Sequence, residues 1–213
     1  MACRPPRRSL RPPLGDRQTA GRQCVGSSAI RELTAMKAPF VLQIERLTLR
    51  KPESSDADAI FTRYASDPEV TRYMSWPTHR SVADTEAFLS WSDADWERWP
   101  AGSYLVFRRD DNRLLGGTGL TFQTPTIAIT GYVFARDAWG CGYATESLLA
   151  MVELARATGV KQVKSCCHVD HRRSAHVLEK CGFQLEEEPR GELEFPNLTP
   201  PGRFPTFLYV RTF

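Results

Sequence analysis

Two stretches of the chain combine residue types that could do chemistry. The first runs Gly131-Tyr-Val-Phe-Ala-Arg-Asp-Ala-Trp-Gly-Cys-Gly-Tyr-Ala-Thr-Glu146, a strand-like run that enters a glycine turn and leaves it as a helix. The first N–H groups of a helix have no partner inside it, and its dipole favours an anion at that end. Gly140 and Gly142 let the backbone curl and approach a ligand closely. A phosphate-bearing ligand is one reading of this turn; glycines kept for sterics alone are the other. The Lys of a Walker loop and the three-glycine spacing of a dinucleotide fingerprint are both missing. The second stretch, Cys167-His-Val-Asp-His-Arg-Arg-Ser-Ala-His-Val-Leu-Glu-Lys-Cys-Gly-Phe183, brings a serine and three histidines around a helix start.

The elements that must position these residues belong to one domain, the default for 213 residues. A hydrophobic fraction of 41%, with 25% charged residues, describes an ordinary globular chain, and no apolar run is long enough to cross a bilayer. Charge is uneven. Eight basic and two acidic residues precede Ala38, leaving 20 basic and 23 acidic residues after it. The folded part is therefore mildly acidic, which argues against direct nucleic-acid binding. Residues 1–38, rich in Arg and Pro and without apolar periodicity, read as a disordered extension. An organelle transit peptide and a true start at Met36 are both open for that segment. Six cysteines form no CxxC pair and no zinc-ligand spacing, so a reduced, cytoplasmic protein without a metal is expected. Adjacent Cys166 and Cys167 should face opposite sides of a strand.

Leu47 to Pro52 reads as an edge strand ended by proline. Ser54 or Ser55 is the expected cap of a helix through about Ala65, and Asp67-Pro68 breaks it. Ser81 with Asp84 forms a capping box for a helix whose apolar side takes Val82, Phe88, Leu89, Trp91, Trp96 and Trp99. Three antiparallel strands follow, Tyr104 to Arg108, Leu114 to Phe122 and Ile127 to Phe134, separated by short polar turns. A helix from Thr145 to Ala157, with Leu148, Leu149, Val152 and Ala155 on one side, stops at Gly159. Val160 to Val169 is a strand, Arg172 to Cys181 a helix closed by Gly182, and a hairpin leads to a last strand from Phe207 to Thr212. A helix between neighbouring strands makes a parallel crossover in a mixed sheet.

Taken together, the two stretches resemble the GCN5-related N-acetyltransferases (GNAT), and most of all their ribosomal-protein N-terminal acetyltransferase branch. WGCGYATES is similar to the branch's WGxGYATEA and RSAHVLEKCGF to its SxxVLEKxGF, while ERLTLRKP and DPEVTRYMSW resemble its opening strand and first helix pair. The four segments keep the family's order over residues 39–213. In the family's phosphate loop a Gln or Arg is followed, after two residues, by Gly, then one residue and Gly or Ala; Trp139, Gly142 and Ala144 stand at those places. The resemblance implies an α/β, mixed α+β fold of three layers, with a mostly antiparallel sheet, a splayed parallel strand pair and flanking helices. It also implies acetyl-CoA as cosubstrate, with backbone atoms of Val133 and Phe134 along the pantetheine arm. Gly140, Cys141, Gly142, Tyr143, Ala144 and Thr145 would surround the pyrophosphate. The partner would be an amine acceptor, a protein N-terminus or a small amine.

Direct transfer needs a neutral amine, a polarised carbonyl and a proton for the departing thiolate. The family's usual tyrosine donor is replaced by Leu178, so Ser174, matching the branch's serine, is the candidate hydrogen-bond donor; a bond within its own helix is the other reading. Leu114 to Arg136 contains no Asp, Glu or His. The base is then His79, in the loop of the first helix pair, or ordered water. An α-amine near pKa 7.7 to 8.0 needs less help than a lysine near about 10.4. Trp76, beside a proline in the same loop, is the expected substrate contact. His168, His171 and His176 are assigned to packing. The missing tyrosine and glutamate leave a non-catalytic acyl-CoA-binding module as the alternative function.

Overall fold

The computed structural model describes residues 37–186 and 191–213; the expected extension up to residue 36 lies outside them. Strands β1 (Val41–Gln43) and β2 (Leu47–Arg50) precede a helical stretch with α1 (Ala57–Ile60) at its centre, a 3-10 turn (Ser54–Asp56) before it and a π turn (Phe61–Ala65) after it. Then come α2 (Pro68–Thr71), α3 (Val82–Arg98), β3 (Ser103–Arg108), β4 (Leu114–Thr124) and β5 (Ile127–Phe134). The chain continues through α4 (Tyr143–Ala157), β6 (Gln162–His168), α5 (Arg172–Lys180), β7 (Gln184–Leu185), β8 (Glu192–Phe195) and β9 (Gly202–Thr212).

Local signals set most of these boundaries. Asp84 Oδ2 accepts the backbone N–H of Arg80 at 2.8 Å and of Ser81 at 3.0 Å, which closes the expected capping box. Both long helices of the second half end on a left-handed glycine, Gly159 at φ +86° and Gly182 at φ +76°. In each, the residue after the glycine donates back into the last turn, Val160 to Ala155 O at 3.0 Å and Phe183 to Leu178 O at 3.1 Å. Those two bonds satisfy carbonyls that a helix end would otherwise leave open.

The sheet order is β1-β2-β3-β4-β5-β6-β9-β7, with β8 added to β9. Every pairing is antiparallel except β5 with β6, so the mixed sheet with one parallel pair is as expected. Alternation along the strands feeds two cores. Val106 joins Leu49, Leu148, Val152 and Leu178 in one cluster, while its neighbour Leu105 joins Ile60, Tyr64 and Leu89 in the other. Helices α4 and α5 thus pack on one face and the α1 region with the first half of α3 on the other, while Trp96 near the end of α3 joins the first cluster. Full burial of such a leucine is worth about 1.5 to 3 kcal/mol.

Three expectations need correction. Leu47–Arg50 is interior, because the short β1 pairs with it outside. Leu149 is exposed, and Met151 takes the core place beside Leu148; residues 148 and 149 differ by about 100° around a helix, so both cannot face the sheet centre. Trp91 is also exposed, whereas Trp96 is buried and donates its indole N–H to Ser103 O at 2.9 Å. Cys166 and Cys167 do face opposite ways, exposed and buried respectively.

The feature that makes a site is the parallel pair. β5 and β6 pair only over Ile127–Ile129 and Gln162–Lys164. Beyond that, β5 stays with β4 as far as Phe134 and β6 stays with β9 as far as His168. The two strands part, and a cleft opens between their C-terminal ends.

Candidate active site

The N-terminus of α4 stands at the end of β5, where this cleft opens. Gly140 and Gly142 have φ of +75° and +81°, which favours glycine at both, and a Cβ at Gly140 would meet nothing within 4 Å. Gly142 is the N-cap and no side chain caps the helix. The first N–H with a helical partner is that of Glu146, which donates to Gly142 O at 3.0 Å. The preceding donors form an uncapped cradle of the kind that holds an anion.

Neighbouring side chains fix this turn. Arg46, from the β1–β2 turn, donates from its backbone N–H (2.8 Å) and Nε (2.7 Å) to the Glu146 carboxylate and from Nη1 to Cys141 O (3.0 Å). Its guanidinium also lies 4.9 Å from the centre of the Tyr143 ring. Trp139 turns back to donate its indole N–H to Phe134 O at 2.7 Å, while Arg173 of α5 sits 5.8 Å from its ring centre. Cys141 is exposed.

Along β5 the backbone alternates. Gly131 O accepts the Thr118 hydroxyl, and a Cβ on Gly116 would overlap Val133 O, so residues 131 and 133 turn their carbonyls to β4. The period of two then gives Tyr132 and Phe134 the backbone groups that face the cleft. Val133 contributes its side chain to the opposite core.

The Tyr132 hydroxyl crosses to α5. It lies 2.9 Å from Ser174 Oγ and 3.1 Å from Ser174 O. Burial holds this phenol well above its ordinary range, against the smaller opposite pull of the Ser174 hydrogen bond. Burial also pushes the Cys167 thiol up to about 11. Leu178, one turn further on, is fully buried and offers no donor.

On the other side, Trp76 and His79 lie in the loop between α2 and α3, half-buried, with ring centres 5.1 Å apart. His79 Nδ1 is 2.8 Å from Thr85 Oγ1, and burial lowers its pKa, partly offset by Asp84. Asn197, from the β8–β9 turn, ties this loop down by accepting from Thr78 and donating to Thr71 O and Trp76 O. Close by, Tyr73 stacks on His171 at 4.6 Å and tilts against His168 at 5.1 Å. His168 is buried, its Nδ1 accepting the Asp170 N–H at 3.1 Å. Among the described residues no group of His, Cys, Asp and Glu could hold a metal ion.

The profile of the acetyltransferase (GNAT) domain matches residues 46–184, a span that holds the β5–α4 turn, the cleft and all of α5. The chain belongs to the GNAT acetyltransferase family. As a GNAT enzyme it is an acetyl-CoA-dependent acyltransferase. Among curated relatives, it is similar to the uncharacterized N-acetyltransferase YoaA of Bacillus subtilis (strain 168), 29% identical over 149 residues, covering 68% of this chain and 84% of that one. Among solved structures, its fold is that of RimL, a ribosomal L7/L12 α-N-protein acetyltransferase in complex with coenzyme A, at TM-score 0.69 and 21% identity over 81% of this chain and 98% of that one. It is also that of MccE, a microcin C7 self-immunity acetyltransferase in complex with acetyl-CoA and AMP, at TM-score 0.69 and 18% identity over 80% and 94%.

The structure of this GNAT enzyme gathers Trp139 to Thr145 around one helix start and sets Ser174 across the cleft, whereas His79 and Trp76 sit apart on the α2–α3 loop. Sequence reasoning missed Arg46, Tyr132 and Asn197. Tyr132 lay inside the quoted motif, so its period-two position relative to Phe134 was an available signal. Asn197 had none, being 119 residues from its partner Thr78.

Proposed function

We propose that this chain transfers an acetyl group from acetyl-CoA directly to a primary amine, the α-amine of a protein N-terminus or of a small molecule. The observation that carries this is the uncapped start of α4 beside a cleft that Ser174 faces. In this reading, the N–H groups of residues 141–145 hold the pyrophosphate, with Arg46 bracing their turn. The cleft-facing backbone of Tyr132 and the N–H of Phe134, whose carbonyl is taken by the Trp139 indole, align the pantetheine arm as a neighbouring strand would. Ser174 donates a hydrogen bond to sulfur as negative charge develops there, an interaction that strengthens towards the transition state. The catalytic unit is residues 39–213.

Amine deprotonation is the second requirement. Burial keeps the His79 imidazole neutral at neutral pH, and Thr85 orients it, so it can accept a proton directly or through water. An α-amine with a pKa of about 7.7 to 8.0 is already partly neutral there, whereas a lysine near about 10.4 starts almost three powers of ten behind. A site whose β4–β5 hairpin carries no carboxylate therefore suits the low-pKa amine. Trp76, tilted on His79, supplies an apolar wall for the acceptor.

Release of free thiol from acetyl-CoA, followed against a panel of peptides and small amines at pH 7.5, tests the proposal. Turnover with free α-amines at least about tenfold above Nα-blocked lysine peptides is the expected result. Saturable acetyl-CoA binding without thiol release for any amine would make the chain an acyl-CoA-binding module instead.

A further inference from the structure

The Tyr132 hydroxyl lies between two acceptors of one residue, Ser174 Oγ at 2.9 Å and Ser174 O at 3.1 Å. A phenol carries one proton, so two arrangements exist. With that proton on Ser174 O, the serine must turn its own proton to the Tyr132 oxygen. With it on Ser174 Oγ, the serine proton is released towards the cleft. Negative charge on a sulfur in the cleft favours the second arrangement, because it attracts the serine proton while the phenol fills a lone pair of Oγ.

From this geometry we propose that Tyr132 is a positioning residue that turns the Ser174 hydroxyl into a donor aimed at the departing thiolate. Here a tyrosine from β5 fills, through serine, the place left by Leu178 on α5. The Tyr132 backbone faces the cleft while its side chain reaches Ser174, so one residue lies beside the pantetheine arm and sets the donor at its end. No covalent bond to Tyr132 forms or breaks; two hydroxyl rotors change direction and the hydrogen bonds follow them. This inference rests on the role given to Ser174 above.

Steady-state kinetics of Tyr132→Phe, Ser174→Ala and the double variant separate the two claims. Tyr132→Phe keeps the ring and its packing, and should lower kcat about tenfold with KM for acetyl-CoA unchanged. The double variant should fall no further than Ser174→Ala alone, since the tyrosine acts only through that serine. A purely structural role would raise KM or lower Tm, and its loss would multiply with that of Ser174→Ala. Losses that multiply, or parental kcat in Tyr132→Phe beside an impaired Ser174→Ala, overturn the role of Tyr132 alone. Parental kcat in Ser174→Ala overturns the reading on which it rests. Should Tyr132→Phe melt below the assay temperature, Tyr132→His offers a ring with a donor in its place. Recovery of kcat in that variant supports the proposal, and parental-like folding without recovery opposes it.

Discussion

Asn197 and Thr78 are joined twice: the Asn197 side-chain oxygen accepts the Thr78 backbone N–H at 2.8 Å and the Thr78 hydroxyl at 3.1 Å. The amide nitrogen of the same side chain donates to Thr71 O at 2.8 Å and Trp76 O at 2.9 Å. One side chain from the β8–β9 turn thereby fixes the loop that carries both Trp76 and His79. A loop of this length between α2 and α3 has little regular structure of its own, so its shape depends on such a clamp.

Replacing Asn197 with Ala removes all four bonds while leaving the cofactor side untouched. Each net hydrogen bond contributes about 1 kcal/mol. The expected outcome is an acceptor KM raised about tenfold, an unchanged KM for acetyl-CoA and a Tm lower by roughly 8 to 16 °C. Equal losses for both substrates would show that the clamp supports the whole fold rather than the acceptor loop.

Glu146 anchors the start of α4 through Arg46, with its own side chain largely buried and the arginine half-exposed. Glu146→Gln should weaken the Arg46 contacts and loosen the turn around Cys141. Discounted for solvent at the arginine, the cost is about 1 kcal/mol, or roughly 2 to 4 °C in Tm for a chain of this size. Titration with acetyl-CoA should give a Kd several-fold higher. An unchanged Kd would mean that the cradle holds its shape without this pair.

The pH profile of stability carries a signature of His171. Burial, aided by His168 and Arg173, pushes its pKa from 6.5 down to about 4. Between those values the unfolded chain binds a proton that the folded chain does not, so folding weakens as pH falls from 6.5 towards 4. His171→Asn abolishes that contribution. Thermal melts should show a smaller decline in Tm over this window for the variant, by on the order of 10 °C. Parallel profiles would show that His171 titrates alike in both states.

Much of the fold was legible because the deciding signals are local. The bounds of β5 follow from its alternation between two turns, α3 from Ser81 and Asp84, and the ends of α4 and α5 from Gly159 and Gly182. What failed depended on distant partners. Nothing in Leu47–Arg50 tells that a three-residue strand lies outside it, and nothing in the α4 sequence alone tells which of Leu148 and Leu149 meets the sheet. At the site, the glycine turn and Ser174 could be read from sequence and its family resemblance. The hydroxyl pair of Tyr132 and Ser174, 42 residues apart, and the clamp of Asn197 could not, since each exists only after the sheet has closed.

The central claim is that the open start of α4 holds the acetyl-CoA used in transfer, and calorimetric titration of the parent chain and of Gly142→Val tests it most directly. Gly142 sits at φ +81° with the Arg46 guanidinium 3.4 Å from where a Cβ would be, so valine must both strain the turn and crowd the donors. The parent should bind one equivalent of acetyl-CoA and gain Tm as it does, because the cradle exists only in the folded chain. Gly142→Val, folded by circular dichroism, should bind at least about thirtyfold more weakly, roughly the loss of 2 kcal/mol. Equal affinity in the two folded proteins would contradict the account and move the cofactor away from α4.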